Sequence, residues 1–174
     1  MKPNSIIAFA TVLTLLGQPA VAQTIILARH GEKVDASADP LLSEAGQARA
    51  QALAAAVVQA RLTHVFSTPL QRTRGTAAPA AQAADLEIQT LSLDGGGAAH
   101  IARTASILRA LGPDDTALVV GHSNTIPEIA RALGLTDTAA MSDCEYDRLI
   151  VVRLKADGAA QAVTGRYGAP TQPC

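Results

Sequence analysis

Three short segments of this sequence carry residues that bind and transfer anions, and each follows an apolar run. Arg29-His30-Gly31-Glu32-Lys33 comes after Ile25-Ile26-Leu27, and Ser67-Thr68-Pro69-Leu70-Gln71-Arg72 comes after His64-Val65-Phe66. Gly121-His122-Ser123-Asn124-Thr125 comes after Ala117-Leu118-Val119-Val120. Arg29 and Arg72 each offer a planar fork of donors matched to phosphate oxygens. A neutral imidazole is a nucleophile when a hydrogen-bond acceptor fixes its second nitrogen, and a protonated one is a donor to anions. Gathering two arginines and two histidines is costly unless an anion sits among them, and a phosphoryl group is the anion that fits. Backbone N–H groups at helix starts after Thr68 and Ser123 add positive potential, and Gly31 and Gly121, lacking side chains, let the main chain approach a ligand.

These segments are informative only if the fold aims them at one place. Short aliphatic runs alternate with Ala-rich helical stretches: Thr24 to Ala28, Ser43 to Ala60, Thr63 to Ser67, Pro69 to Ala84, Leu86 to Leu91, Ala98 to Ala110, Thr116 to Gly121 and Thr125 to Leu133. Strand followed by helix, four times over, predicts an α/β fold: a three-layer α/β/α sandwich with a mainly parallel sheet. Leu149 to Leu154 and Ala160 to Thr164 flank an Asp157-Gly158 step, which predicts a C-terminal antiparallel hairpin. Ser43 is the expected cap of the first helix, Thr68-Pro69 of the second, and Thr125 with Glu128 forms an expected capping box for the last. In such a sheet the ligand crevice lies outside the carboxyl ends of the strands, where all three segments fall.

Taken together, and in this order, the three segments resemble the histidine phosphatase superfamily, in the small branch of phosphoglycerate mutase-like phosphatases. The resemblance runs from Thr24 to Val152 and includes Thr76-Ala77 after Arg72. It implies that His30 is the nucleophile, that Arg29 and Arg72 hold the transferring phosphoryl group, and that His122 donates to it opposite the leaving side. Ser123, Asn124 and Gly31 would contact the substrate. Water would then hydrolyse the phosphohistidine, with no metal or other cofactor required. The sequence departs from the family at the general acid. Where a glutamate is expected after the third strand it reads Leu91-Ser92-Leu93-Asp94-Gly95-Gly96-Gly97-Ala98-Ala99-His100. Asp94 is the nearest substitute, with Glu32 and Glu128 as rivals and water or the leaving group's own proton as alternatives. Asp94 before glycine is equally a turn former.

The other histidines, His64 and His100, have ordinary packing or surface roles, and Tyr146-Asp147 either reaches the rim or makes a turn. Three other functions compete with hydrolysis. A mutase would need a cover over the pocket, for which only Lys33 to Leu42 and Leu91 to Ala98 are free loops. A non-catalytic phospho-ligand binder would explain the missing glutamate. A metal hydrolase lacks any His-x-His or His-Glu-x-x-His spacing.

The chain of 174 residues has 14 basic and 15 acidic side chains, so no overall basic field exists to hold nucleic acid or an anionic membrane surface. Two Phe, two Tyr and no Trp leave little for base stacking. Lys2, an apolar run from Ile6 to Leu16, and Ala20-Val21-Ala22 have the layout of a signal peptide over 1–22. Cleavage would leave one domain over 23–174, periplasmic or secreted, with no stable membrane association. The partner expected is a small phosphorylated substrate; the loops leave open which one, as they do the oligomeric state. Cys144 and Cys174 would enter an oxidising compartment, where they can pair or stay free.

Overall fold

The computed structural model describes residues 22–155, 157–171 and 174. The expected signal segment thus lies outside the described residues, except for its last position, Ala22. A six-stranded sheet has the order β3-β2-β4-β1-β5-β6, formed by β1 (Ala22–Arg29), β2 (His64–Ser67), β3 (Ile88–Thr90), β4 (Thr116–Gly121), β5 (Arg148–Lys155) and β6 (Ala160–Arg166). Strands β1, β2, β3 and β4 are parallel to their neighbours in that group, whereas β5 runs antiparallel to β1 and β6 antiparallel to β5. The hairpin turn closes through a Lys155 N–H bond to Ala159 O at 2.9 Å, with Gly158 at φ +83°. That left-handed backbone is the reason for glycine there.

Helices α1 (Glu44–Val57) and α2 (Gln71–Ala83) cover one face, α3 (Gly96–Arg109) and α4 (Ile126–Ala132) the other. Alternate residues of β1 and β4 supply both cores. Ile25, Leu27, Ala117 and Val119 face α3 and α4, while Ile26, Ala28, Leu118 and Val120 face α1 and α2. A strand buried on both sides must be apolar at every position, which is what the continuous runs encode.

Ser43 caps α1, accepting from the Gly46 N–H at 3.1 Å. The other two expected caps are corrected. Helix α2 begins at Gln71, two residues beyond the expected N1 proline, and its first N–H is satisfied by Asp39 Oδ1 at 2.8 Å. Thr125 makes no capping bond to α4; its hydroxyl accepts from the His122 N–H at 3.2 Å, and Glu128 pairs with Arg131. Thr125 does stand at the N-cap position of α4, but its hydroxyl, like that of Thr68, is engaged by His122 and not by the helix.

Candidate active site

Three parallel strands end together. Arg29, the last residue of β1, is in register with Gly121, the last of β4, and the His30 N–H donates to Gly121 O at 3.0 Å. Ser67 ends β2 beside Val120. Just beyond these ends a cleft of about 650 Å³ is lined by Arg29, His30, Arg72, His122, Ser123 and Asn124, among others. The four residues expected to handle the phosphoryl group are therefore brought into one wall.

His30 is 4 % exposed, and its Nδ1 lies 2.7 Å from Gly31 O. A carbonyl oxygen only accepts, so Nδ1 carries the proton and the lone pair resides on Nε2. Burial, reinforced by Arg29, Arg72 and Lys33, pushes its pKa down to about 4. The imidazole is thus neutral and nucleophilic at ordinary pH. Below it, the Gly31 N–H donates to Thr76 Oγ1 at 2.8 Å and that hydroxyl donates to Arg72 O at 2.7 Å. This relay ties the β1 loop to α2.

His122 packs edge-on to His30, and its Nε2 is 3.1 Å from Thr68 Oγ1, which is 2.8 Å from Thr73 Oγ1. The Thr73 hydroxyl ends on the carbonyls of Thr68 and Leu70. Burial first, then His30 and Arg72, lower the His122 pKa to about 3.

Arg29 is held from one side. Its Nη1 donates to Ser142 O at 2.9 Å and Glu145 O at 3.0 Å, and its guanidinium carbon lies 3.9 Å above the Tyr146 ring. Arg72 Nη1 reaches Ala38 O at 3.3 Å, and Asp39 lies 3.8 Å away. The Nε atoms of both arginines are buried without a partner among the described residues. Buried cationic donors left open in this way suit an anion with several acceptor oxygens.

Gly31 does not line the cleft, and its role differs from the expected approach to a ligand. A Cβ there would lie 2.7 Å from Gly46 O in α1, and one at Gly46 would lie 2.2 Å from Glu32 O. The two glycines let helix and loop touch backbone to backbone. Gly121 is likewise crowded by protein, with Ile126 Cδ1 2.9 Å from where its Cβ would be.

The three acid candidates are placed apart from the reacting wall. Asp94 is exposed, its carboxylate accepts from Ser92 Oγ at 2.7 Å, and Leu93 and Gly96 line the cleft beside it while Asp94 does not. Glu32 forms a two-pronged pair with Arg49, at 2.6 to 2.9 Å. Glu128 is paired with Arg131. The carboxyl that does line the cleft is Asp143, which accepts from Ser123 Oγ at 3.1 Å. Sequence reasoning missed it because it sits on an irregular stretch between α4 and β5.

Tyr146 reaches the rim; Asp147 does not, being buried and bound to Arg166 and Thr171. His100 is buried as a packing residue, with Nδ1 3.0 Å from Ser92 O, and its ring also forms part of the cleft wall. His64, stacked on Phe66 at the start of β2, is away from the cleft. No group of three His, Cys, Asp or Glu side chains is arranged to hold a metal among the described residues.

The sequence model of the histidine phosphatase superfamily, branch 1, matches residues 25–93. That stretch holds Arg29, His30 and Arg72, while His122 lies beyond it and joins them through the β1–β4 pairing. Among solved structures, the protein histidine phosphatase SixA complexed with tungstate is 17% identical with a TM-score of 0.65, over 82% of this chain and 96% of its own. A putative phosphohistidine phosphatase SixA from Nakamurella multipartitia is 25% identical with a TM-score of 0.55, over 88% and 99%. A mycobacterial glucosyl-3-phosphoglycerate phosphatase is 16% identical with a TM-score of 0.62, over 85% and 99%. No curated protein sequence matches the chain.

Proposed function

We propose, from the match of the histidine phosphatase superfamily model to residues 25–93 and from the likeness of fold, that the protein is an exported phosphomonoester hydrolase working through a phosphohistidine on His30. The observation that carries the reading is the His30 imidazole, neutral and with its lone pair fixed on Nε2, beside two guanidiniums whose buried Nε donors have no partner. Nε2 attacks phosphorus, a P–N bond forms, and the P–O bond to the leaving group breaks. Arg29 and Arg72 hold the equatorial oxygens, and His122 supports the charge that builds on them. Water then attacks phosphorus, the P–N bond breaks, and inorganic phosphate leaves. Proton transfer on the leaving side is assigned to Asp143, which lines the cleft, ahead of Asp94, which does not. Neither step draws on a metal.

Export is supported by the signal-like layout of 1–22 and by the Cys144–Cys174 disulfide, a bond that persists in oxidising compartments. N-terminal sequencing of the exported protein should begin at Gln23.

The test of the chemistry uses the processed chain and an activated aryl phosphate, quenched in base. An acid-labile phosphoryl label that vanishes in His30→Ala, with turnover, supports the hydrolase. Anion binding with neither label nor turnover would leave a phospho-ligand binder. Retained activity after exhaustive chelation would set aside a metal hydrolase.

A further inference from the structure

We propose that the Cys144–Cys174 disulfide holds the 142–146 segment as a clamp on Arg29, so that the bond is part of the phosphoryl site's geometry as well as of the fold's stability. The proposal rests on the reading of Arg29 as a phosphoryl-binding residue.

Arg29 receives three contacts from five consecutive residues: the Ser142 and Glu145 carbonyls on Nη1, and the Tyr146 ring against the guanidinium face. Those residues lie in a stretch from Gly134 to Asp147 that contains neither helix nor strand. Its local hydrogen bonds are isolated turns, such as Glu145 N–H to Ser142 O at 3.1 Å, so its placement against the body depends on ties to other elements. Cys144 sits in the middle of the clamp. Its Cα lies 5.3 Å from that of Cys174, 30 residues away.

The far end of the tie is itself anchored. Arg49 of α1 donates to Tyr167 O at 3.3 Å and to Ala169 O at 3.0 Å, and the Asp147 carboxylate accepts from Thr171 Oγ1 at 2.9 Å. The disulfide thus fastens the clamp to the α1 face of the body. Arg148 also binds Ala139 O, Ala140 O and the Glu145 carboxylate, Arg166 pairs with Glu145 at 3.2 Å, and Ser123 donates to Asp143 at 3.1 Å, so the disulfide is the tie that joins Cys144 itself to the C-terminal segment. Without the covalent tie, residues 142–144 lose their link to the C-terminal segment while Glu145 stays paired with Arg148 and Arg166, so the Ser142 carbonyl is the acceptor of Arg29 that is freed. Cys174 is exposed and Cys144 half-buried, so the bond is open to attack by a thiolate.

Cys144 and Tyr146 are accordingly positioning residues, acting through Arg29. A dithiol reductant would deliver two electrons and two protons to the bond, leaving two thiols and its own cyclic disulfide. The experiment compares oxidised and dithiol-reduced processed protein, below its unfolding temperature and with folding checked by circular dichroism. The readouts are the Kd for inorganic phosphate and the kcat and KM for an aryl phosphate.

The clamp predicts a phosphate Kd and a KM raised about tenfold on reduction, the effect of losing roughly one charged hydrogen bond. Reoxidation should restore both, and Cys144→Ser should match the reduced protein. A brace that served stability alone would lower Tm and leave Kd and KM within twofold, and that result would overturn the proposal. Should the reduced protein unfold, the oxidised Tyr146 variants decide. Tyr146→Leu must weaken phosphate binding and Tyr146→Phe, which keeps the ring over Arg29, must restore it; equal values in both would also overturn it. Redox-dependent phosphate binding with no turnover would sink the hydrolase reading while leaving the clamp standing. No phosphate binding in the oxidised protein would sink both.

Discussion

The rings of His30 and His122 stand 5.4 Å apart, edge to face, and both are held neutral by burial and by Arg29 and Arg72 nearby, His122 also by His30. Unfolded, both would take up a proton near pH 6.5, whereas in the folded protein His30 does so only at about 4 and His122 at about 3. Between those limits the unfolded chain binds more protons, so stability falls as the pH drops. Each histidine contributes a slope of about 1.4 kcal/mol per pH unit. Urea unfolding at pH 7.5, 6.0 and 5.0 should show that decline already above pH 5, before carboxylates such as Glu145 and Asp147, whose pKa values are lowered, begin to protonate. A flat profile from pH 7.5 to 5.0 would contradict the neutral pair.

The same neutrality sets the acid limb of activity. In the free enzyme kcat/KM should fall only as His30 protonates, with a limb near pH 4 when the substrate's own ionisation is accounted for. His30→Ala should lose turnover by on the order of 10⁴-fold or more, together with the acid-labile label.

Arg29 and Arg72 should not tolerate lysine. Each lysine keeps the charge but loses the planar fork, and a lost charged hydrogen bond costs roughly 1.5–3 kcal/mol. Isothermal titration with inorganic phosphate should therefore show Kd raised by at least about tenfold in Arg72→Lys and in Arg29→Lys.

The two aspartates separate by leaving group. Asp143→Asn should slow hydrolysis of an alkyl phosphate by about 10²-fold while sparing an aryl phosphate that leaves without a proton. Asp94→Asn should change neither by more than a few-fold, and steady-state kinetics on both substrates would show the opposite pattern if Asp94 were the donor.

Gly46→Ala places a methyl 2.2 Å from Glu32 O, so overpacking of about 1–3 kcal/mol is expected in denaturant unfolding. Gly97→Ala, with nothing within 4 Å of its Cβ position and a place in the first turn of α3, should be neutral or stabilising by comparison.

The parallel strands were legible because β1 and β4 are buried on both faces and so must read as unbroken apolar runs. The convergence of Arg29, His30, Arg72 and His122 on one cleft was legible because polar residues at strand ends stand out against such runs. The start of α2 and the capping bonds of α4 differ from expectation because the Thr68 hydroxyl is engaged by His122 and that of Thr125 by the His122 N–H. Asp143 and the placement of Tyr146 were hidden because the stretch carrying them has no periodicity, and its path is written in distant partners such as Arg29, Arg148 and Cys174. Even the cysteine count, which allowed a bridge, said nothing of what the bridge would hold.

Where α1 meets the His30 loop, Gly31 and Gly46 leave main chain against main chain. A joint of that kind has no shim: no side chain lies between helix and loop that could be trimmed or lengthened to reset the height of the His30 ring. On that side the loop cannot be raised or lowered by a small substitution in α1. Variation must enter from the far wall of the cleft, through residues such as Leu70, Leu93 and Asn124, while the seat of His30 stays fixed.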